Sequence, residues 1–223
     1  MSPANMPAFS LGHGCPCHVK RPIRRFVGHH RVVAALGVLS YPSVTLPRMT
    51  VDHFWALVEQ GRARAHDPSD AEEVAERTRQ ALTSLAAAGV AELNQPLHDL
   101  MAASYRVDLW GAAYQLNGGC SDDGFEYFRG WLLTQGREVF ERVVADPDAL
   151  AGLPAVREAA EEALDLECED MFGVVADAYH ALTGTYDLPA TEGRYPELGQ
   201  FWDFDDDDEF RRRLPRLAGL LGE

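Results

Sequence analysis

The residues whose types could do chemistry are concentrated in positions 108–138, where aromatic residues, glycines and charged residues are interleaved. On a helix that turns by roughly 100° per residue, Asp122, Glu126 and Arg129 lie within about 60° of one another. The three charges therefore form one stripe. Because desolvating a carboxylate beside aromatic rings costs several kcal/mol unless a partner satisfies it, the stripe predicts a coupled group of inward-pointing ionic side chains.

Two interpretations of this stripe are open from the sequence. In the structural one, which the spacing favours, Glu126 and Arg129 form an internal salt bridge that joins the helix to its neighbours. In the catalytic one, Asp122, Asp123 and Glu126 form a carboxylate cluster that holds a metal ion or acts as acid and base. Arg129 would then hold an anionic substrate, as in a metal-dependent hydrolase. No second ligand motif accompanies the cluster, so the sequence assigns no metal ligand and no cofactor.

Cys120 begins the same segment and is a candidate nucleophile. The backbone N–H groups and dipole at a helix N-terminus can lower the pKa of a thiol. Catalysis would also need a histidine brought near by the fold, and His98 and His180 are candidate donors besides His53 and His66. The alternative is a small buried cysteine after a double-glycine turn. Cys120, Asp122 and Glu126 are therefore the candidate catalytic residues, and whether the chain is an enzyme stays open.

Aromatic residues add a candidate binding surface to these charges. Trp110 and Tyr114 are four positions apart on one helical face, where they could stack against a ligand or pack in the core. We expect a polar and aromatic site around residues 118–131 in a non-catalytic binding or protein-interaction module, with a small molecule or another protein as the ligand. The candidate ligand-binding residues are Trp110, Tyr114, Ser121, Asp122, Asp123, Glu126, Arg129 and Trp131.

The elements that must position these residues are helices. From Thr50 onward, apolar residues recur at intervals of three and four, and no run alternates as a strand would. The sequence therefore predicts an all-α fold, a single compact multi-helix domain over residues 49–223. The first four predicted helices begin at Thr50, at a Ser69–Glu72 capping box, near Val90 and at Val107, and the third has a break at Pro96. The remaining ones begin at the N-cap Ser121, at Pro154 and within 205–209. The predicted helices end near 61–66, 89, 106, 117, 135 and 184, and the last is bent at Pro215.

The helix predicted from Pro154 to Gly184 has an acidic face and an apolar stripe. Its stripe contains Leu164, Cys168, Met171, Val175 and Leu182. Its carboxylates lie opposite that stripe, which favours a solvent-exposed surface. Glu167 lies at the edge of the stripe and is the exception.

The charge is distributed unevenly along the chain, whose formal net charge is −15. Residues 1–51 carry six basic residues and no acidic one, whereas the remainder carries fourteen arginines against thirty-five acidic residues, a net charge of −21. This balance argues against nucleic acid as a partner and favours a basic or neutral partner surface. No stretch approaches the roughly 20 apolar residues of a membrane span, so we expect no membrane partner. Four irregularly spaced cysteines indicate no disulfide framework and favour the cytoplasm.

Residues 1–48 contain six prolines and no sustained periodicity. We expect a disordered basic extension here. Met49 directly precedes the capping residue of the first predicted helix, so we expect Met49 to be the natural start and the extension to come from gene annotation.

Residues 109–137 also carry a recognisable signature. The sequence LWGAAY, followed by GGCSDDGFEYFRGWL and then QGR, resembles the hallmark of the bacterial domain of unknown function 4240 family. The resemblance extends from Met49 to about Trp202 and includes the Phe54–Trp55 pair. It implies that residues 118–131 are the family's hallmark, and it implies no established activity.

Overall fold

The structure is a computed structural model and describes residues 48–222. Within this range the chain forms eleven α-helices and one 3-10 helix, and it forms no strand. They are α1 (Val51–Arg64), α2 (Ala71–Leu82), α3 (Ala87–Glu92), α4 (Asn94–Ala103), α5 (Val107–Leu116), α6 (Asp122–Thr134), α7 (Arg137–Ala145), the 3-10 helix Pro147–Gly152, α8 (Pro154–Glu162), α9 (Glu169–Thr183), α10 (Asp207–Arg213) and α11 (Pro215–Leu221). The all-α prediction is confirmed. The predicted disorder of residues 1–48 concerns positions that, apart from Arg48, lie outside the described residues.

The core forms around α6, which packs against α9 and also contacts α1, α2, α5 and α7. Phe125, Phe128 and Leu132 of α6 are fully buried, at the three- and four-residue spacing that places side chains on one helical face. Burying each such side chain contributes about 1.5–3 kcal/mol. The segment that carries the candidate residues is thus also the centre of the hydrophobic core.

The start of α6 follows the predicted local signals. Gly118 and Gly119 both have positive φ, at 64° and 130°, which ends α5 and reverses the chain. The Ser121 hydroxyl then accepts a hydrogen bond from the Gly124 backbone N–H at 3.1 Å, so the predicted N-cap is confirmed.

The long helix predicted from Pro154 to Gly184 is wrong, because residues 163–168 form a loop between α8 and α9. Ala163 adopts a left-handed conformation at φ 53°, and Leu164, predicted to be buried, is 49% exposed. Residues of other elements hold the loop by hydrogen bonds. The Leu166 N–H donates to Asn117 Oδ1 at 3.0 Å, and the Cys168 N–H donates to the Tyr127 carbonyl at 2.9 Å. These tertiary hydrogen bonds outweigh the helical periodicity.

Three other predicted boundaries also differ. The N-cap of α2 is Asp70, which accepts from the Glu73 N–H at 2.9 Å, and not Ser69 in a box with Glu72. The helix ends at Leu82 and not at Gly89, because the Thr83 and Ser84 hydroxyls donate to backbone carbonyls of the last turn. Pro215 begins the separate helix α11, where its missing N–H is harmless, and does not merely bend one helix. Leu182, predicted on the buried stripe of the long helix, is 40% exposed.

Residues 185–206, here called the strap, connect α9 to α10 without helix or strand. The amide of Gln95 in α4 anchors the strap by donating to the Glu192 carbonyl at 3.0 Å and accepting from the Glu192 N–H at 2.6 Å. Trp202 of the strap lies against Gly111 of α5, where an added Cβ would come within 2.2 Å of the indole ring. No helix within residues 48–222 is long and apolar enough to cross a membrane.

Candidate functional site

Arg129 is fully buried in the centre of the domain and is held by uncharged partners. Its Nη1 donates to the Met101 carbonyl at 2.7 Å, and its Nε donates to the Phe125 carbonyl at 3.2 Å. Its guanidinium carbon lies 5.1, 4.7 and 5.5 Å from the ring centroids of Tyr105, Phe125 and Tyr195. Burial lowers the pKa of Arg129, and the hydroxyl of Tyr195 opposes this shift through its charge interaction and hydrogen bond. An aromatic cage therefore surrounds this cation.

The predicted salt bridge between Glu126 and Arg129 is not formed, since no described carboxylate lies within 4 Å of the guanidinium. Glu126 is partly exposed, and Asp122 and Asp123 are exposed. The expectation that these ionic side chains point inward as a coupled group is wrong for all except Arg129. The physical reason is the rotation of α6: the face that carries Phe125 and Arg129 packs into the core, and the carboxylates occupy its outer side.

The predicted carboxylate cluster does not assemble with other ligands. Within residues 48–222, no three His, Cys, Asp or Glu side chains come together in a way that could hold a metal ion. Ser121 is exposed, and its hydroxyl is used as the helix cap. The geometry around Asp122, Asp123 and Glu126 therefore lends no support to metal-dependent hydrolysis.

Cys120 is partly buried at the start of α6. Burial, and then the negative charge of Glu167, raises the pKa of the Cys120 thiol to about 12, while Arg129 lowers it. The lowered pKa that a nucleophilic Cys120 would need is therefore absent, because desolvation disfavours the thiolate. At neutral pH the thiol is protonated, which makes it a poor nucleophile.

The two aromatic residues predicted to share a binding face play different parts. Trp110 is 8% exposed, stacks on Phe125 with ring centroids 4.7 Å apart, and donates from Nε1 to the Cys120 carbonyl at 3.0 Å. Tyr114 is partly exposed, and its hydroxyl donates to the Asp205 carboxylate in the strap at 2.8 Å. Trp110 thus serves the core, and Tyr114 ties the strap to α5.

Trp131 contributes to a cavity of about 290 Å³, here called the acidic groove, which lies between the N-terminal end of α2, α8 and the 163–168 loop. Its apolar lining residues are Ala71, Trp131, Ala155, Ala159, Leu164 and Leu166. Six carboxylates also line it: Asp67, Asp70, Glu72, Glu158, Asp165 and Glu167. No described lysine, arginine or histidine lines the groove, so its charge is strongly negative.

Two carboxylates of the groove respond in opposite ways to their surroundings. Burial, and then repulsion by Asp165, raises the pKa of Glu167, and a hydrogen bond with Asn117 opposes the shift. By contrast, hydrogen bonds from the Ser69 side chain and backbone lower the pKa of Asp67. A cation that enters beside Asp165 and Glu167 would relieve their mutual repulsion.

Helix α6 positions one wall of the acidic groove by close packing. A Cβ added to Gly130 would lie 2.3 Å from the Cys168 carbonyl oxygen, so only glycine lets the 163–168 loop approach α6 this closely. The space beside Gly124 is occupied by Glu167, whose Oε1 lies 3.2 Å from an added Cβ. These glycines of residues 118–131 thus hold the acidic loop in place.

The sequence predictions found only part of this groove. Trp131 was selected, and Glu167 was noted as an exception on its predicted helix. The other carboxylates of the groove were missed because they come from segments nearly a hundred positions apart, such as Asp70 and Asp165. The density of carboxylates around both segments was the one signal in the sequence for an acidic site. It carries no information on whether the two segments are in contact.

The fold and its cavities define an all-α domain with a caged arginine in its core and an acidic groove on its surface. The chain belongs to the family described as protein of unknown function (DUF4240), which matches residues 49–181, more than half of the chain. The resemblance seen in the sequence is thereby confirmed, although the match ends before Trp202. It includes Arg129 and the acidic groove, whereas Tyr195 of the cage lies beyond it. No curated protein and no solved structure matches the chain.

Proposed function

We propose that the protein is a non-catalytic binding module whose acidic groove holds an arginine- or lysine-bearing segment of a partner protein. The observation that carries this proposal is a groove lined by six carboxylates and six apolar residues, with no described basic residue among the lining side chains. The net charge of −21 over residues 52–223 supports it, because a field of one sign steers an oppositely charged partner toward the surface.

The apolar lining of the groove favours a peptide over a simple cation. Leu164 is 49% exposed, and it lines the groove together with Trp131 and Leu166. Lysine and arginine side chains bury their apolar stems along such surfaces while their charged ends reach polar groups. A volume of about 290 Å³ suits one or two such side chains and not a large organic cofactor.

The surroundings of the candidate catalytic residues support binding over catalysis. The pKa of Cys120, raised to about 12, removes thiolate nucleophilicity at neutral pH. Asp122 and Asp123 are exposed and form no metal-binding group with described His, Cys, Asp or Glu residues. Asp122 and Asp123 instead behave as ordinary carboxylates at the exposed N-terminus of a helix, where they interact favourably with the helix dipole.

Calorimetric titration with a short peptide of alternating arginine and leucine tests the proposal. The matched peptide with glutamine in place of arginine is the control ligand. We expect saturable binding of the arginine peptide only, weakened by roughly tenfold in Asp165→Asn and in Glu158→Gln, since each removes a charge-assisted contact. Asp187→Asn, which removes an exposed carboxylate outside the groove, is the matched control and should leave affinity unchanged. Equal binding of the two peptides, or full affinity in both groove variants, contradicts the proposal.

A further inference from the structure

A second cavity has the opposite character. It occupies about 740 Å³ between α7, the 3-10 helix, α8 and α11, and here is called the arginine pocket. Arg142, Arg157 and Arg216 are its only charged lining residues within the described part of the chain. The rest of its wall consists of alanines, glycines, a proline and Leu220. Three arginines in one cavity are unusual in a domain whose net charge is strongly negative.

The three guanidinium groups differ in how far they are neutralised. Arg216 is paired, with Nε 2.9 Å from Asp148 Oδ2 and Nη2 2.5 Å from Asp146 Oδ2. Arg142 has only a 3.8 Å contact with Glu138, a carboxylate whose side chain is 94% exposed. Such an exposed ion pair is weak, so Glu138 neutralises little of the charge on Arg142.

Arg157 has no described carboxylate within 4 Å, and its Nε donates to the Ala151 carbonyl at 3.1 Å. That hydrogen bond occupies one N–H of the guanidinium and restrains its orientation. The remaining donors stay available for a ligand, and a guanidinium presents them in a planar fork that matches the oxygens of a carboxylate or a phosphate.

We propose that the arginine pocket binds a small organic anion, in which a phosphate or a carboxylate is attached to an apolar group. Arg142 and Arg157 supply the positive charge, and the apolar wall near Leu220 takes the uncharged part. The volume lies within the range of about 300–1,000 Å³ that small-molecule sites occupy. This site is separate from the acidic groove, since Arg157 and Glu158 of α8 line different cavities.

Calorimetric titration of the full chain with phenyl phosphate and with benzoate tests this inference and distinguishes the two anion chemistries. We expect one saturable site for at least one of them and none for benzyl alcohol. Arg157→Gln and Arg142→Gln should each weaken binding by about tenfold, because each removes a charge-assisted contact with the anion. Arg64→Gln, an exposed arginine of α1 outside the pocket, is the matched control and should retain wild-type affinity.

Three results overturn the inference. One is the absence of saturable heat for both aromatic anions at millimolar concentration. Another is an equal loss of affinity in Arg64→Gln, which indicates a general charge effect. The third is binding of inorganic phosphate as tight as that of phenyl phosphate, since the apolar wall then contributes nothing. Circular dichroism of each variant verifies that the helices are retained.

Discussion

Replacing Arg129 by methionine removes the buried charge at the centre of the domain while keeping an unbranched side chain that fills much of the same space. The carbonyl groups of Met101 and Phe125 lose a donor, and the Tyr195 hydroxyl loses its hydrogen bond with the guanidinium. Neither carbonyl is left without a partner. The Met101 carbonyl also accepts from the Ser104 hydroxyl at 3.1 Å, and the Phe125 carbonyl lies four residues before Arg129 within α6, where helical backbone bonding supplies a second donor.

The change in the free energy of unfolding is the sum of contributions of opposite sign. Hydrogen bonds from a charged donor contribute about 1.5–3 kcal/mol each, and a desolvated cation–π contact contributes about 2 kcal/mol. Methionine forfeits these contributions. It also removes the desolvation penalty of a buried cation, which is several kcal/mol in a folded protein. We therefore expect Arg129→Met to change the free energy of unfolding by no more than about 2 kcal/mol.

Arg129→Ala is the matched comparison, because it removes the charge and also empties the space within the aromatic cage. Large-to-small substitutions in a core cost about 3–5 kcal/mol when the cavity does not collapse. The difference between the alanine and methionine variants therefore isolates packing from charge.

Urea denaturation, followed by tryptophan fluorescence and by circular dichroism, measures both variants. Coincident transitions and an unchanged dependence on urea concentration establish that the free energies can be compared. A loss above about 4 kcal/mol in Arg129→Met would refute the reasoning, because that is the range expected when one member of a buried ion pair is removed.

Three further measurements address the acidic groove and α6. The raised pKa of Glu167 keeps part of this carboxylate protonated above its ordinary value of 4.5, so affinity for the arginine peptide should fall as the pH decreases through that raised pKa, and Glu167→Gln should flatten this dependence in calorimetry. Peptide-resolved alkylation at about pH 8 should label Cys120 more slowly than the same residue in urea, since its pKa of about 12 leaves little thiolate; equal rates would contradict this. Gly130→Ala should lower the free energy of unfolding by about 1–3 kcal/mol through its clash with the Cys168 carbonyl. The control Gly89→Ala, in open space on a helix, should stabilise by up to about 1 kcal/mol, and a Gly130→Ala protein as stable as the wild type would show that the loop can shift.

Some local signals were a reliable guide to the structure, although the Ser69–Glu72 capping box did not form the N-cap of α2. The double glycine and Ser121 predicted the start of α6, because positive φ angles and a side-chain cap depend only on neighbouring residues. The interruption at residues 163–168 could not be predicted in this way. It depends on hydrogen bonds from Asn117 and Tyr127, which belong to other parts of the chain.

The charged stripe on α6 illustrates the same division. A helical wheel correctly grouped Asp122, Glu126 and Arg129, but it contains no information on which side of that group meets the core. Packing buries Arg129 against Tyr105 and Tyr195 and leaves the carboxylates outside. The expected ion pair is not formed for that reason.

From sequence alone came the all-α class, the family resemblance and the start of α6, since periodicity, a specific signature and capping are properties of contiguous residues. Tertiary structure alone decided the caged Arg129, the acidic groove and the arginine pocket. Each of these assembles side chains from distant segments, and the electrostatic free energy of every member depends on neighbours that the order of residues does not specify.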